Sequence, residues 1–410
     1  MKLPGSALAY TMVLTMVIGA LLGSLLAINQ HYRKLFHSQY AEDRARDNLR
    51  SGMNMILSMS PVTKQSFAMS LFESPLDSFY ARTEPWGLFR LVLGKGVFAN
   101  TIETRACLAG QTLPATTAAL FLSGEKQPLT LAGDTHITGD VVSKRSDFIA
   151  GKVEGFRYSG NRLVEGRILP FASYPSPIKN ECPLNPVFPT LPRPAAGMAV
   201  VANLRAVQTW EGDNLEIAES KSVYIDSIYL SGKCKIISGN ELIISRRASL
   251  NHCLLFARKI IIEDGFSGRI QAFATDSLIV GKNVHLEYPS VIGIKKSTTQ
   301  PVFLRLDAGS VLEGELIFDG GKLTQPPFSR DHILICQGAI IYGCVKTSHN
   351  LDLRGKVNGI VATGNFLLNT PGTVYENYLF GAEINPAELS PEFAGIITDS
   401  TRWLQIIEWL

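Results

Sequence analysis

Hydrophobic and polar positions alternate differently in successive parts of this 410-residue chain, and the first part is almost entirely apolar. Residues 7–28 carry no charged side chain. A helix of about 22 residues, at 1.5 Å per residue, spans a bilayer core of roughly 30 Å. A cleaved secretion signal has a shorter apolar stretch that ends in small residues, and Leu25 and Ala27 fit that site poorly. The pattern therefore predicts a retained single-pass anchor within residues 1–29.

Helical spacing continues beyond the apolar run. Residues 29–59 contain no proline, and their apolar positions form a sparse stripe at helical intervals: Leu35, Leu49, Met53, Ile56 and Leu57. We expect one helix over residues 6–59, with an amphipathic portion over residues 30–60. Outside the membrane, this portion is predicted either to pack through its stripe or to remain a solvated coiled segment.

Residues 86–110 are rich in side chains that favour β-strands. Gly94, Lys95 and Gly96 in the middle of this stretch are typical of a tight turn. The pattern predicts a β-hairpin here, within a small α/β module over residues 61–126.

Short apolar strands then recur at a fixed interval. The apolar triplets at residues 242–244, 260–262 and 278–280 follow one another at a step of 18 residues, and Ile333 and Leu351 show the same step. A constant period of this kind is typical of a solenoid, in which each coil covers its neighbour.

Glycines punctuate these repeats. Gly309, Gly338 and Gly355 are each followed by a second glycine four or five positions later. Glycine tolerates the positive φ of a corner, and it has no side chain to collide with the next coil.

The fold class predicted is mainly β. A single N-terminal transmembrane helix and the small α/β module precede a parallel β-solenoid (β-helix) with rungs of about 18 residues. We expect a first short set of rungs over residues 127–169 and the main solenoid over residues 199–371.

A proline-rich strap is predicted over residues 170–198, between the two sets of rungs. Four of its prolines are spaced by three residues, which is the period of polyproline II: Pro183, Pro186, Pro189 and Pro192. Such a strap either crosses the solenoid, which we favour, or binds an aromatic groove of a partner.

The C-terminal residues 372–410 are expected to cap the solenoid with a short helix. Asp399 or Ser400 is suited to start this helix. Its apolar stripe would consist of Trp403, Ile406, Ile407 and Leu410.

Strand parity predicts an apolar stripe on the flank of the solenoid. If Leu242 and Ile244 face the interior, Ile243 faces outward, and the repeat places Ile261 and Ile279 beside it. We expect the strap, the C-terminal helix or a partner subunit to cover this candidate interaction stripe. In a later strand the equivalent residue is Asp352, which predicts a solvated position there.

Composition and charge exclude some functions. The net charge of +3 is small and evenly mixed, so nucleic acid is not expected as a partner. The six cysteines include no CxxC pair, which argues against a zinc or redox motif. Their even number permits disulfides in an oxidising compartment, and unpaired buried thiols explain them equally well.

No catalytic, cofactor-binding or metal-binding residues emerge from the sequence. Carbohydrate chemistry on a β-helix needs carboxylates that converge on one groove, and none recurs with a partner at rung spacing. There is no HExxH, nucleophile elbow or phosphate loop. The chain is therefore not expected to be an enzyme or to carry a cofactor.

The first residues resemble the leader of type IV pilins and type II secretion pseudopilins. The resemblance lies in Lys2, Gly5 and the uncharged stretch SALAYTMVLTMV. It implies cleavage between Gly5 and Ser6, although Tyr10 stands where most of these proteins have a glutamate. Gly19 and Gly23 form a small-xxx-small pair, a candidate site for helix packing in the membrane.

The glycine-punctuated rungs resemble those of bactofilins, which are cytoskeletal β-solenoid proteins. The two resemblances imply different compartments, and we follow the leader: an inner-membrane, single-pass protein with most of the chain in the periplasm. The expected function is a membrane-anchored structural subunit of a bacterial envelope assembly, pilus-like or secretion-like, with protein partners or self-association. The alternatives are a bactofilin-like cytoskeletal scaffold, a surface-binding or adhesion module and, disfavoured, a polysaccharide lyase or hydrolase.

Overall fold

A computed structural model describes most of the chain as a mainly β protein with one long N-terminal helix. The described residues are 5–59, 65–72, 74–113, 118–124, 127–171, 184, 187–320, 331–348, 350–398 and 403–410. They divide into two compact units. The anchor unit contains residues 5–58, 65–83 and 92–105. The array unit contains residues 59, 84–91 and the described part of residues 106–410.

Helix α1 (Gly5–Ser58) is 54 residues long and confirms the predicted single helix. By length and composition, it is able to cross a membrane. Residues 8–40 are exposed, whereas Leu49 and Met53 are buried within the anchor unit. The predicted amphipathic stripe therefore packs in its C-terminal part, and Leu35 remains exposed.

Four antiparallel strands follow the helix. They are β1 (Gln65–Ser70), β2 (Asp77–Trp86), β3 (Phe89–Phe98) and β4 (Thr101–Thr112). The β-rich stretch is confirmed, but Gly94 and Gly96 lie inside β3, and the turns are at residues 87–88 and 99–100. A Cβ atom at Gly96 would lie 2.2 Å from the carbonyl oxygen of Ala45. These glycines therefore serve the close approach of α1 rather than a turn.

Parallel strands dominate the array unit. Its first strands are β5 (Leu120–Leu122), β6 (Leu129–Ala132), β7 (His136–Ile137), β8 (Val141–Ser143), β9 (Phe148–Ala150), β10 (Lys152–Val153), β11 (Phe156–Arg157) and β12 (Ile168–Pro170). Next come β13 (Met198–Ala202), β14 (Arg205–Gln208), β15 (Leu215–Glu219), β16 (Ser222–Asp226), β17 (Tyr229–Gly232), β18 (Cys234–Ser238), β19 (Glu241–Ile244), β20 (Ser249–Ile262) and β21 (Ser267–Val280). They continue as β22 (His285–Lys295), β23 (Phe303–Leu306), β24 (Val311–Asp319), β25 (His332–Ile335), β26 (Ile340–Thr347), β27 (Asn350–Leu353), β28 (Lys356–Thr363) and β29 (Asn365–Asn369). The last are β30 (Val374–Glu376), β31 (Tyr378–Phe380), β32 (Glu383–Ile384), β33 (Ala394–Gly395) and β34 (Leu404–Trp409).

The strands pair with the register that the repeat alignment predicts in the middle of the array. Leu242 pairs with Ile260, and Ile260 pairs with Leu278, each at an offset of 18 residues. The offset then increases to 26 between Leu278 and Leu304, and to 29 between Leu304 and Ile333. Longer connections between strands absorb the extra residues, so the period is not constant even where the parallel pairing continues.

The short set expected over residues 127–169 is placed differently from the prediction. It begins earlier, at β5, which pairs in parallel with β28, and it continues through β8 and β12. These strands therefore lie beyond β28 at the far end of the main set, although they precede β13 in the chain. A period in the sequence reveals which segments are alike, but it does not reveal which coils are neighbours.

The predicted C-terminal helix is wrong. Residues 404–409 form β34, which pairs antiparallel with β4, from Leu404 opposite Gln111 to Trp409 opposite Cys107. The backbone of this segment satisfies its hydrogen bonds on β4 instead of within a helix turn. Asp399 and Ser400, the expected helix start, lie outside the described residues.

Candidate functional site

The apolar half of α1 is the first candidate interaction surface. Residues 8–28 are exposed within the chain, and among the described residues no atom beyond the backbone of α1 itself lies within 4 Å of a Cβ atom built at Gly19 or Gly23. The small-xxx-small face is therefore free for a lipid or a second helix. Gly5 and Ser6 lie in the first turn of α1, and cleavage between them stays a prediction.

Ile243, Ile261 and Ile279 form a column along three neighbouring strands, as the parity argument predicts. All three side chains are half-buried. Their strand neighbours, including Leu242 and Ile244, are fully buried in the array interior. We call these three residues the isoleucine column, and their role as an interaction surface stays a prediction.

The solvated position expected at Asp352 is wrong, because only 2% of this residue is exposed. Arg354 donates to both carboxylate oxygens of Asp352, at 2.8 and 2.7 Å, and the Nε2 atom of His332 lies 3.3 Å away. Burial alone would raise the pKa of Asp352, but these hydrogen bonds outweigh it and hold the pKa below its usual value. Strand parity takes no account of such hydrogen bonds, whether they come from a nearby residue of the chain or from a neighbouring strand.

A different outward face of the array carries fully buried aromatic side chains. Phe256 and Phe273 stack at 5.5 Å between ring centroids, and both are buried. Phe188, from the described end of the strap, packs edge-on against Phe256 at 5.5 Å. Residues 172–183, 185 and 186 of the strap, which include Pro183 and Pro186, lie outside the described residues. The sequence does contain a signal for this burial, since residues 253–257 are an uninterrupted apolar run, which is typical of a strand buried on both faces.

The turn between β2 and β3 also packs on the array. The backbone amide of Leu88 donates to the side-chain oxygen of Gln271 at 2.8 Å, and the side-chain nitrogen of Gln271 donates to the carbonyl oxygen of Trp86 at 3.1 Å. Gly87 has φ +59°, and a Cβ atom there would lie 2.0 Å from the same oxygen of Gln271. Gln271 therefore fixes this turn on the array through both ends of its amide.

One end of the array leaves its interior partly exposed. Among the described residues, β13, β14 and β15 have register partners on one side only, namely β16, β17 and β18. The inward-facing residues of these three strands are half-buried, whereas their register partners in β16, β17 and β18 are fully buried. These register pairs are Val201 with Ile225, Ala206 with Leu230 and Ile217 with Ile236. Unpaired strand edges of this kind favour pairing with another chain.

A groove of about 640 Å³ lies elsewhere in the array unit. Its lining combines two tyrosines, Tyr288 and Tyr342, with three carboxylates, Glu313, Glu388 and Glu392. The carboxylate of Glu313 lies 2.8 Å from His285, and that of Glu388 lies 3.3 Å from Lys356. Aromatic rings beside polar groups are suited to binding a polar ligand. Sequence analysis missed this groove, because its lining residues come from strands and loops that are distant in the chain.

Within the part of the chain that the structure describes, no three His, Cys, Asp or Glu side chains are grouped to hold a metal ion. The candidate surfaces are thus an exposed apolar helix, a half-buried isoleucine column, an open strand end and a tyrosine-lined groove. No protein-family model, no curated protein and no solved structure matches the chain.

Proposed function

We propose that this chain is a membrane-anchored structural subunit of a bacterial envelope assembly, either pilus-like or related to type II secretion. The observation that carries the proposal is that α1 combines an exposed apolar segment, residues 8–28, with a C-terminal part that packs on its own sheet. In the packed part, Asn48 donates to Asp77 at 2.9 Å and to the carbonyl oxygen of Val97 at 2.8 Å. A helix fixed in this way supports a structural connection between a membrane segment and a folded domain.

The array unit would be a parallel β-solenoid that serves as scaffold or interaction surface. Support comes from the in-register parallel partners along the middle of the array and from their fully buried inward side chains. The leader resemblance supports an inner-membrane position with the bulk of the chain in the periplasm.

The open end at β13–β15 supports self-association with a second copy. A two-fold axis perpendicular to the array would make the edges of two copies antiparallel, with β13 opposite itself and β14 opposite β15. Strand β13 carries no charge, β14 begins with Arg205, and β15 carries Glu216 and Glu219. This pairing would therefore bring opposite charges together across the interface.

The proposal is tested first by location. After expression in a bacterium, the full chain should remain in the membrane pellet during carbonate extraction, and its mass should start at Ser6. A periplasmic reporter fused after Leu410 should be active. A soluble protein would overturn the anchor, and an active cytoplasmic reporter at the same site would favour the bactofilin-like alternative.

Self-association is tested on the purified chain in detergent. Sedimentation should detect an oligomer that Val207→Lys disrupts, because Val207 is exposed on the open strand β14. Ser249→Lys, at an exposed position of β20, is the matched control. A monomeric wild-type chain would contradict self-association, without affecting the test of location.

The tyrosine-lined groove favours a second candidate function, a surface-binding module. Its exposed Tyr342 is available for stacking against a ligand. Binding of oligosaccharides, lost in Tyr342→Ala and kept in Tyr229→Ala outside the groove, would support this alternative.

A further inference from the structure

Two thiols face each other across neighbouring strands in the interior of the array. Cys234 begins β18, and Cys253 lies in β20. The register pairs Lys235 with Leu254, the next residue of each strand, so Cys234 lies opposite Cys253. Both cysteines belong to the same buried core, with exposed fractions of 1% and 0%.

The separation of the strands suits a disulfide. Paired strands lie about 4.8 Å apart, and disulfide-linked Cα atoms usually lie about 4.4–6.8 Å apart. The structure describes both residues as free thiols, and each sulfur lies 3.7 Å from a backbone carbonyl oxygen, that of Ser231 for Cys234 and that of Leu230 for Cys253. The neighbouring thiol lowers the pKa of Cys234, and together with burial it raises the pKa of Cys253.

The other described cysteines have different register partners. Cys344 pairs with Glu315 on one side and Ile360 on the other, and Cys107 pairs with Trp409. The thiol of Cys336 lies 3.6 Å from a carboxylate oxygen of Asp307. Among the cysteines that the structure describes, only Cys234 and Cys253 lie opposite each other on neighbouring paired strands.

We propose that Cys234 and Cys253 are a modification site: a disulfide that links adjacent coils and forms when the array folds in an oxidising compartment. The oxidant is a disulfide, either of a thiol oxidase protein or of glutathione. The two S–H bonds are lost and the new S–S bond forms, while the oxidant's S–S bond takes up two electrons and two protons to give two thiols. Because both cysteines are buried in the folded array, the reaction must precede closure of the core.

The cross-link would stabilise the coil next to the open end. Strand β18 is the register partner of β15, and the bond would attach β18 to the coil behind it. Only 18 residues lie between the two cysteines, so the cross-link closes a small loop. It would stabilise the fold because it restricts the conformations of the unfolded chain. The inference does not depend on the proposed function, because refolding in a glutathione buffer tests it without any membrane.

The experiment is peptide mapping of the full chain in detergent. The protein is refolded with glutathione disulfide, then unfolded in the presence of N-ethylmaleimide without reductant and digested with trypsin. Cleavage after Lys233, Lys235, Arg247 and Arg258 is expected to release residues 234–235 linked to residues 248–258. Maleimide on both peptides would overturn the proposal, and so would a link from either cysteine to a different one.

A stability measurement on the same oxidised protein provides the second readout. Reductant should lower the melting temperature of the wild type by several degrees, and the shift should vanish in the double variant Cys234→Ser, Cys253→Ser. Cys344→Ser is the control that should keep the shift. If the double variant does not fold, peptide mapping of the wild type still decides the question. An equal reductant shift in all folded variants would contradict the cross-link.

Discussion

Gly343 in β26 lies beside Gly314 in the neighbouring parallel strand β24. The two residues are register partners, and a Cβ atom at Gly343 would lie only 1.8 Å from the carbonyl oxygen of Gly314. Gly359 in β28 has the same relationship to Gly343. All three glycines have positive φ angles between +149° and +158°. All three glycines lie inside strands, in β24, β26 and β28, so the expected role of glycine as a corner residue stays a prediction, whereas the lack of room for a side chain beside the neighbouring strand agrees with the sequence analysis.

Gly343→Ala should destabilise the fold strongly. The new methyl group would collide with backbone, not with a movable side chain, and the positive φ adds strain of about 1–3 kcal/mol. We expect a loss of at least about 2 kcal/mol in the free energy of unfolding, measured by urea titration. Gly372→Ala is the control, since among the described residues a Cβ atom there has no neighbour within 4 Å. Equal midpoints for the two variants would show that the close approach of β24 does not require glycine at residue 343.

Asp352→Asn should also destabilise the fold, by about 1.5–3 kcal/mol. The change would remove the charged acceptor of Arg354 inside the array, while the side-chain volume stays nearly the same. Asp226→Asn is the control, because its partner Arg247 is largely exposed and surface pairs contribute little. Urea midpoints at pH 7 make the comparison, and a larger loss for Asp226→Asn would show that burial does not decide the effect.

The effect of Asp352→Asn should depend on pH in one direction. A carboxylate whose folded pKa is lowered stabilises the fold above its unfolded pKa, about 3.9, and this stability disappears as the pH falls through the folded value. The difference between wild type and variant should therefore be constant from pH 7 to about pH 5 and shrink below pH 4. Urea midpoints over this range measure it, and a difference that grows in acid would contradict the lowered pKa.

Gln271→Ala should release the turn between β2 and β3. The substitution leaves the backbone amide of Leu88 and the carbonyl of Trp86 without their buried partner, at about 1–3 kcal/mol each. Hydrogen exchange of the Leu88 amide should accelerate, together with a lower urea midpoint. Gln300→Ala, at an exposed position, is the control and should change neither quantity. Unchanged protection of Leu88 would show that Gln271 does not fix the turn.

Local rules made part of this fold predictable from the sequence. An uncharged run followed by helical spacing gave α1 almost to the residue, since nothing in that stretch interrupts a helix. The register of Leu242, Ile260 and Leu278 followed from a constant step, and the need for glycine where neighbouring strands approach closely followed from backbone sterics. Each of these features depends on residues within one helix or within neighbouring strands.

Other features depend on partners that are distant in the sequence. Gly96 is of a residue type that is common in turns, but here it allows the backbone of Ala45 in α1 to approach β3 closely. Asp352 has the parity of an exposed residue, but His332 of the neighbouring strand and Arg354 bind its buried carboxylate. The segment of β34 has the spacing of a helix, but β4 offers its backbone a better set of partners. Such choices are made by tertiary contacts, which override local propensity.

The isoleucine column provides the sharpest test of what covers the flank of the array. The described end of the strap packs against Phe256, and the C-terminal segment is a strand that pairs with β4. These contacts do not place the strap or the C-terminal segment on the isoleucine column. Full burial of an isoleucine side chain contributes about 1.5–3 kcal/mol to the free energy of unfolding. Since Ile261 is only half-buried, Ile261→Lys should lose part of this contribution.

Two measurements on Ile261→Lys in detergent distinguish the remaining interpretations. If a partner subunit covers the column, sedimentation should show a smaller assembly while the melting temperature falls by only a few degrees, because the column faces away from the array interior. If the column is covered within the chain, the melting temperature should fall by more and the assembly size should follow the folded fraction. Ser249→Lys, at an exposed position of the same strand, controls for the added charge. An unchanged melting temperature with an unchanged assembly size would mean that the column is bare surface, and the interaction stripe would then be wrong.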